Sequence, residues 1–228
     1  SPFRICADAG EVLTRAIIIC TGVRPRFLDV PGERELFGKG ISTCATCDGS
    51  FYRDMEVAVI GGGDSALDEG LFLTRFASMV HIIHRRDQFR AIHALVQKAR
   101  GNPKIQFHLD TIVTSINGEG VVESLSLRNV KTDVESALPV SGVFLYVGLL
   151  PNSEMFRGLV ELNESGFITV DRNLMTSAPG IFAAGDVRDT PFRQIVTAAS
   201  DGATAAHTAG KFIERISPSQ DSGRIPSV

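Results

Sequence analysis

An apolar run, Glu56-Val57-Ala58-Val59-Ile60, leads directly into Gly61-Gly62-Gly63-Asp64-Ser65-Ala66 and on into a helical pattern over residues 65–77. No other stretch constrains the fold as strongly. Gly61-x-Gly63-x-x-Ala66 between a strand and a helix is the setting in which glycines let the backbone approach a pyrophosphate at a helix N-terminus. A tight turn without a ligand is the plainer alternative. A second apolar strand, Met79–Ile83, completes a β-α-β unit and predicts a parallel sheet. Further on, the pattern predicts a helix over 88–100 and a strand over 104–109. It then predicts an antiparallel hairpin from Thr111–Asn117 and 122–127 around Gly118 and Gly120, and a buried strand over 142–147.

The flanks read differently. Phe3, Ile5 and Ala7 alternate before a turn at Gly10-Glu11, and the run Ala16-Ile17-Ile18-Ile19-Cys20 ends at Thr21-Gly22, which predicts a hairpin feeding a buried parallel strand. After Pro151 a loop-rich stretch contains apolar residues 167–170, and a strand over 180–186 ends in Gly185-Asp186. The helix predicted over 193–216 carries Ala, Gly, Ser and Thr on several faces, suited to close approach of a backbone or ligand. Residues 217–228, rich in Ser, Pro and Gly, are expected to form a mobile tail.

Nine residues before the glycine strand stands Cys44-Ala45-Thr46-Cys47-Asp48. A Cys-x-x-Cys pair can close a small reducible disulfide and run one thiol at a lowered pKa. Zinc would want four ligands, and Cys6 and Cys20 form no second pair of this spacing. A purely structural bridge over so short a loop would restrain the unfolded chain little. Asp48 is placed to move protons during exchange, or else to cap a turn. Cys20, in an apolar strand, and Cys6, in a half-buried pattern, read as small core residues.

At the end of the second strand, where an NAD site usually has Asp or Glu, stand His84-Arg85-Arg86, with Arg90 one helical turn on. Arginines there suit a 2′-phosphate through charge-assisted, bidentate contacts, so NADP(H) is favoured over NAD(H). With 23 basic and 26 acidic residues in 228, the chain has no field suited to nucleic acid or an anionic membrane. It has no apolar run near the roughly 20 residues that span a bilayer and no leader pattern. A cytoplasmic protein is expected.

Taken together, these motifs resemble the low-molecular-weight NADPH-dependent thioredoxin reductases. The resemblance is carried by Cys20-Thr21-Gly22 with Pro25, Pro31-Gly32-Glu33, the Cys44 to Gly49 segment, the glycine turn, His84-Arg85-Arg86-Asp87 with Arg90, and Gly180 to Val187 with Arg193-Gln194. It implies an α/β fold in which a Rossmann-like NADPH domain with a hairpin layer, residues 27–150, is inserted into an FAD domain made of 1–26 and 151–216. It implies NADP(H) and FAD as cofactors, with electrons passing from NADPH through FAD and the Cys44-Cys47 pair to thioredoxin or a thioredoxin-like protein. Cys47 would lie nearer the flavin, Cys44 would attack the protein disulfide, and Asp48 would be the acid-base residue. The nucleotide would be held by Gly61, Gly63, Asp64, Ser65, Ala66, His84, Arg85, Arg86, Arg90 and Gly148. The flavin would be held by Thr21, Gly22, Gly185, Asp186, Arg193 and Gln194. The family's first FAD fingerprint does not occur in the sequence, so the expectation is an N-terminally truncated chain, an incomplete FAD domain and weak FAD binding. A homodimer is expected of the complete protein. The alternatives are a non-catalytic NADP(H)-binding module and an NADH-dependent flavoprotein that reduces peroxiredoxin, the latter disfavoured by the arginine pair.

Overall fold

A computed structural model describes residues 2–216; the tail expected at 217–228 lies outside the described residues. The chain divides into two compact units, Pro25–Gly148 and the remainder, Ser1–Arg24 with Leu149–Val228.

In the 25–148 unit, five parallel strands stand in the order Ile41–Ser42, Gly142–Tyr146, Glu56–Gly61, Met79–Ile83, Ile105–His108. Their apolar runs have no polar face because both sides of the sheet are covered, the usual state of a parallel sheet. Val57, Val59, Val80, Ile82 and Phe144 meet Ala66, Leu67 and Leu71 of the helix Asp64–Leu73 on one side. Ala58, Ile60, Ile83, Val143 and Leu145 meet Val113, Ile116, Leu125 and Leu127 on the other. Those last four belong to an antiparallel layer of Thr111–Asn117, Ser124–Asn129 and Glu135–Pro139. The third of these strands does not show in the sequence pattern, since four of its five residues are exposed.

Two helices are shorter than their patterns. The first stops at Leu73, where the Thr74 hydroxyl donates to the Leu71 carbonyl at 2.7 Å and residues 74–76 turn away. The second begins at His93 rather than 88, because Arg90 and Ile92 give their N–H groups to the glycine turn instead of to a helix.

In the other unit, Phe3–Ala7 and Gly10–Thr14 form the expected hairpin, but the turn falls on Asp8-Ala9, and Gly10, at φ 122°, starts the second strand. Among the described residues, Ile17–Ile19 pairs in parallel with Ile181–Ala183 alone. In this strand only Ile19 is buried and Ile18 stays exposed, while Ile181–Ala183 of the partner strand is buried throughout. Cys20 follows the strand's end and is exposed, as is Cys6 in the hairpin, so neither is the core residue its pattern suggests. Residues 167–170 form no strand; Ile168 makes single bridges to Leu162 and Arg188. The helix Ile195–Ile216 buries Ala205 and Ala209 in a cluster with Leu174, Phe182 and Ala184.

Candidate functional site

Cys44 and Cys47 are joined by a disulfide across a Cα separation of 5.3 Å. The short helix Ala45–Asp48 starts at once after Cys44, whose sulfur accepts from the Cys47 N–H at 3.1 Å. Cys47 is exposed and Cys44 half-buried. One hydroxyl organises the acid beside them: Ser42 Oγ donates to Asp48 Oδ2 at 2.6 Å and accepts from the Cys44 N–H at 3.0 Å. Asp48 is therefore oriented within the same turn as Cys47. Tyr146, at the end of its strand, accepts from the Ala45 N–H at 2.8 Å. Burial, Glu69 and Asp48 push the Tyr146 phenol far up, so it stays neutral. Burial and neighbouring Asp68 push Glu69 up as well, against the pull of the Tyr146 hydroxyl and the Thr46 N–H. Ser42, Glu69 and Tyr146 are absent from the sequence reading. Tyr146 stands 101 residues from Ala45, and no local pattern signals such a contact.

A cavity of about 480 Å³ opens at the end of the central strand, walled in part by Gly61, Gly62, His84, Arg85, Arg90 and Tyr146. Two glycines are required by contact. A Cβ on Gly61 would stand 2.6 Å from the Tyr146 carbonyl oxygen and 2.8 Å from the Ala66 Cβ, and one on Gly62 would fall 2.2 Å from the His84 ring. Gly63 faces open space, with no other atom within 4 Å of its would-be Cβ. The arginine loop is laced to this turn: the Arg90 N–H donates to the Gly62 carbonyl at 2.7 Å and the Ile92 N–H to Asp64 Oδ1 at 2.8 Å. Asp64 thus clamps the loop. His84 is buried, stacks on Phe89 with centroids 5.3 Å apart and donates from Nε2 to the Gln88 carbonyl at 3.1 Å. Burial above all, then Arg85, Arg86 and Arg90, push its pKa down.

Of the other nucleotide-site candidates, Arg86 is exposed and its carbonyl accepts from the Asp110 N–H at 3.3 Å. Lys131 lies 3.0 Å from both Asp87 and Asp110, so one cation is shared between the two carboxylates. Ser65 is exposed in the first helical turn, Ala66 is buried against Gly61, and Gly148, at φ 119°, gives its carbonyl to the Arg26 N–H at 3.0 Å.

The remaining candidates belong to the other unit. Thr21 donates its hydroxyl to the Asn152 carbonyl at 2.7 Å, and the Gly22 carbonyl accepts the Asn152 N–H at 3.0 Å. The Gly185-Asp186 turn is fixed from the long helix: Asp201 Oδ2 accepts from the Gly185 N–H at 3.0 Å while the same carboxylate accepts from Nε and Nη2 along one edge of the Arg188 guanidinium. Arg193 lies over the Phe167 ring, 4.3 Å from its centroid, and its Nε donates to the Asp186 carbonyl at 3.5 Å. The Gln194 N–H donates to Thr197 Oγ1 at 3.1 Å. Asp201 and Arg188 escape the sequence reading because they act through the turn, not through a motif.

Residues 4–202 match the family model for pyridine nucleotide-disulphide oxidoreductases. The chain is 42% identical over 216 residues to a thioredoxin reductase of Peptoclostridium acidaminophilum, covering 92% of this chain and 69% of that one. It is 48% identical over 200 residues to a thioredoxin reductase of Mycolicibacterium smegmatis, covering 87% of this chain and 64% of the relative. The solved thioredoxin reductase of Streptococcus pyogenes is similar at a TM-score of 0.87 and 41% identity, over 93% of this chain and 70% of that one. The chain spans about two thirds of the length of these relatives.

Proposed function

This chain belongs to the pyridine nucleotide-disulphide oxidoreductase family and is a disulfide oxidoreductase of the thioredoxin reductase type, and on that premise we propose that it draws electrons from NADPH, through FAD, and delivers them by way of Cys44 and Cys47 to thioredoxin or a thioredoxin-like protein. The observation that carries the reading is the Cys44–Cys47 disulfide with Asp48 oriented in its own turn by Ser42.

The residues suit the cofactors. The open backbone at Gly63 and the crowded Gly61 leave room for a pyrophosphate at the strand end, and Arg85 and Arg90 on the cavity wall favour a 2′-phosphate, hence NADPH over NADH. In the other unit, Asp186 offers an acceptor, Arg193 a cation held over an aromatic ring, and Thr21 a hydroxyl, a donor set matched to the polar groups of a flavin nucleotide. When bound, the two cofactors supply hydride transfer and its relay to the disulfide. The protein's own chemistry is thiol–disulfide exchange: the Cys44 thiolate attacks the partner's disulfide, Cys47 resolves the mixed disulfide, and Asp48 carries the proton. A cytoplasmic homodimer completes the proposal. Among the described residues no helix is long and apolar enough to cross a membrane.

The test replaces either cysteine with Ser in the protein supplied with NADPH and FAD. Turnover with thioredoxin should vanish while NADPH binding is kept; near-normal turnover of Cys47→Ser would return the pair to a structural role.

A further inference from the structure

The cavity at the end of the central strand is lined by three arginines, Arg26, Arg85 and Arg90, and by no carboxylate. Among the described residues none of the three guanidiniums has a hydrogen-bond or ion-pair partner. The acid nearest Arg26 in sequence, Asp29, is taken by Arg34 at 3.3 Å. Like charges left uncompensated around one cavity repel, and a bound polyanion relieves that repulsion. Arg85 and Arg90 already have a task there. Arg26 has none, yet its backbone is pinned: its N–H donates to the Gly148 carbonyl at 3.0 Å, and just beyond it the Glu33 carboxylate accepts from the Leu28 and Asp29 N–H groups at 2.8 and 2.7 Å. Its Nε lies 3.7 Å from where a Cβ on Gly148 would stand. The exposed side chain therefore lies beside the end of the strand Gly142–Tyr146.

Strand order says which part of a ligand that side chain meets. From Glu56–Gly61 the chain steps outward through Met79–Ile83 to Ile105–His108, then returns so that Gly142–Tyr146 lies on the other flank of Glu56–Gly61. A dinucleotide lies across the crevice where the strand order reverses, with its pyrophosphate at the glycine turn. Here that reversal falls between Glu56–Gly61 and Gly142–Tyr146. Arg85 follows the strand on one side of the turn, and Arg26 stands by the strand on the other. We propose that Arg26 is a further nucleotide-binding residue, which takes the pyrophosphate of the dinucleotide from the side opposite Arg85. This assignment rests on the reading of the cavity as the NADPH site. A guanidinium fork matches paired phosphate oxygens, and it serves a pyrophosphate whether or not a 2′-phosphate is present. No motif marks Arg26 in the sequence, because it reaches the cavity only where Gly148 comes beside it.

The experiment titrates the chain, by calorimetry at low salt, with NADP+ and with 2′-AMP, which carries the 2′-phosphate but no pyrophosphate. Arg26→Ala should weaken NADP+ by about tenfold, the loss of one charge-assisted hydrogen bond, and leave 2′-AMP within about twofold of the parent. Arg85→Ala should weaken both ligands. Arg26→Lys keeps the charge without the fork and should recover part of the NADP+ affinity, and the deficit of Arg26→Ala should shrink as salt rises. Because the Arg26 side chain is exposed and holds no partner among the described residues, alanine there leaves the fold in place. Unchanged NADP+ affinity in Arg26→Ala would overturn the assignment, and so would a loss of 2′-AMP as large as that of NADP+. In either case a loss of both ligands in Arg85→Ala keeps the cavity as the nucleotide site; a parent chain that takes up neither NADP+ nor 2′-AMP would overturn both.

Discussion

The two units both hold functional groups where parallel strands end, but with unequal support. In the 25–148 unit the glycine turn leaves the central strand of a five-stranded sheet covered on both faces, and the arginine loop is fixed to that turn by backbone donors. In the other unit the Gly185-Asp186 turn leaves a two-stranded pair and depends on Asp201, sixteen residues away on the long helix. That unit also keeps Ile195 90%, Met155 78% and Val196 72% exposed. A wide sheet makes the site a property of the backbone, so side chains there are free to choose the ligand. A narrow one makes the site depend on particular side-chain pairs.

If this contrast holds, substitutions on the arginine loop should change ligand choice and spare the fold. Replacing Arg85 and Arg86 together with Ala should weaken NADPH by on the order of a hundredfold, since each charge-assisted bond is worth roughly 1.5–3 kcal/mol, and leave NADH almost unchanged. Of the two, Arg85 lines the cavity and Arg86 does not, so R85A should cause the greater part of the loss. Titration of both nucleotides reads the outcome, and equal losses would remove the 2′-phosphate assignment.

Glu33 is the place where the well-supported unit relies on one side chain. It is fully buried, and its carboxylate accepts from the Leu28 and Asp29 N–H groups at 2.8 and 2.7 Å, fixing the Leu28 side of the cavity wall. Glu33→Ala removes the acceptor of two part-buried donors and empties a buried site, and urea unfolding should show a loss of about 2–4 kcal/mol. A loss under 1 kcal/mol would mean that water enters freely and that this wall is less fixed than its hydrogen bonds suggest. In the other unit, Asp201→Asn keeps the shape but breaks the partly buried pair with Arg188, whose side chains are 13% and 19% exposed. The expected loss is about 1–2 kcal/mol, with faster amide exchange at Gly185. Unchanged exchange there would show that the narrow sheet holds its turn unaided, against the contrast drawn above.

What the sequence reveals follows the same division. Val57 to Ile60 running into Gly61 is a local signal, and the sheet, its order of helices and the arginine loop all grow from such signals. Residues 88–92 look helical because their apolar spacing is right, yet Gly62 and Asp64 capture their N–H groups. Periodicity cannot register a competing partner some 28 residues away. Cys20 reads as buried because it continues the run Ile17–Ile19, and burial then depends on what the fold lays over the strand's end, which no local run contains. Tyr146 and Ser42 sit in ordinary strand positions; their roles arise only from what the fold sets opposite them.

The smallest effect concerns acid. His81, almost fully buried, bridges Glu56 Oε2 at 2.8 Å and the His108 ring at 3.1 Å across three neighbouring strands of the wide sheet. Burial first, and the adjacent His81 second, push the His108 pKa down. A group whose pKa is lower folded than unfolded binds more protons when unfolded. Its contribution is therefore complete above the ordinary histidine value of about 6.5 and is lost as the pH falls from there through the folded value, at a slope no steeper than about 1.4 kcal/mol per pH unit. The other unit has a single histidine, the exposed His207. Its buried acid, Asp201, titrates lower: burial pushes its pKa up, but the Arg188 and Gly185 contacts outweigh that and hold it below the usual carboxylate range. Between about pH 6.5 and pH 4.5, amide protection, taken relative to the intrinsic exchange rate at each pH, should accordingly fall within residues 25–148 before it falls in the flanking unit. His108→Gln should lessen that loss, of which His84, also pushed down by burial, keeps a share, without changing stability at neutral pH by more than about 1 kcal/mol. Simultaneous loosening of both units would mean that the histidine bridge is not the acid-sensitive point, and that the broad sheet owes nothing measurable to a neutral His108.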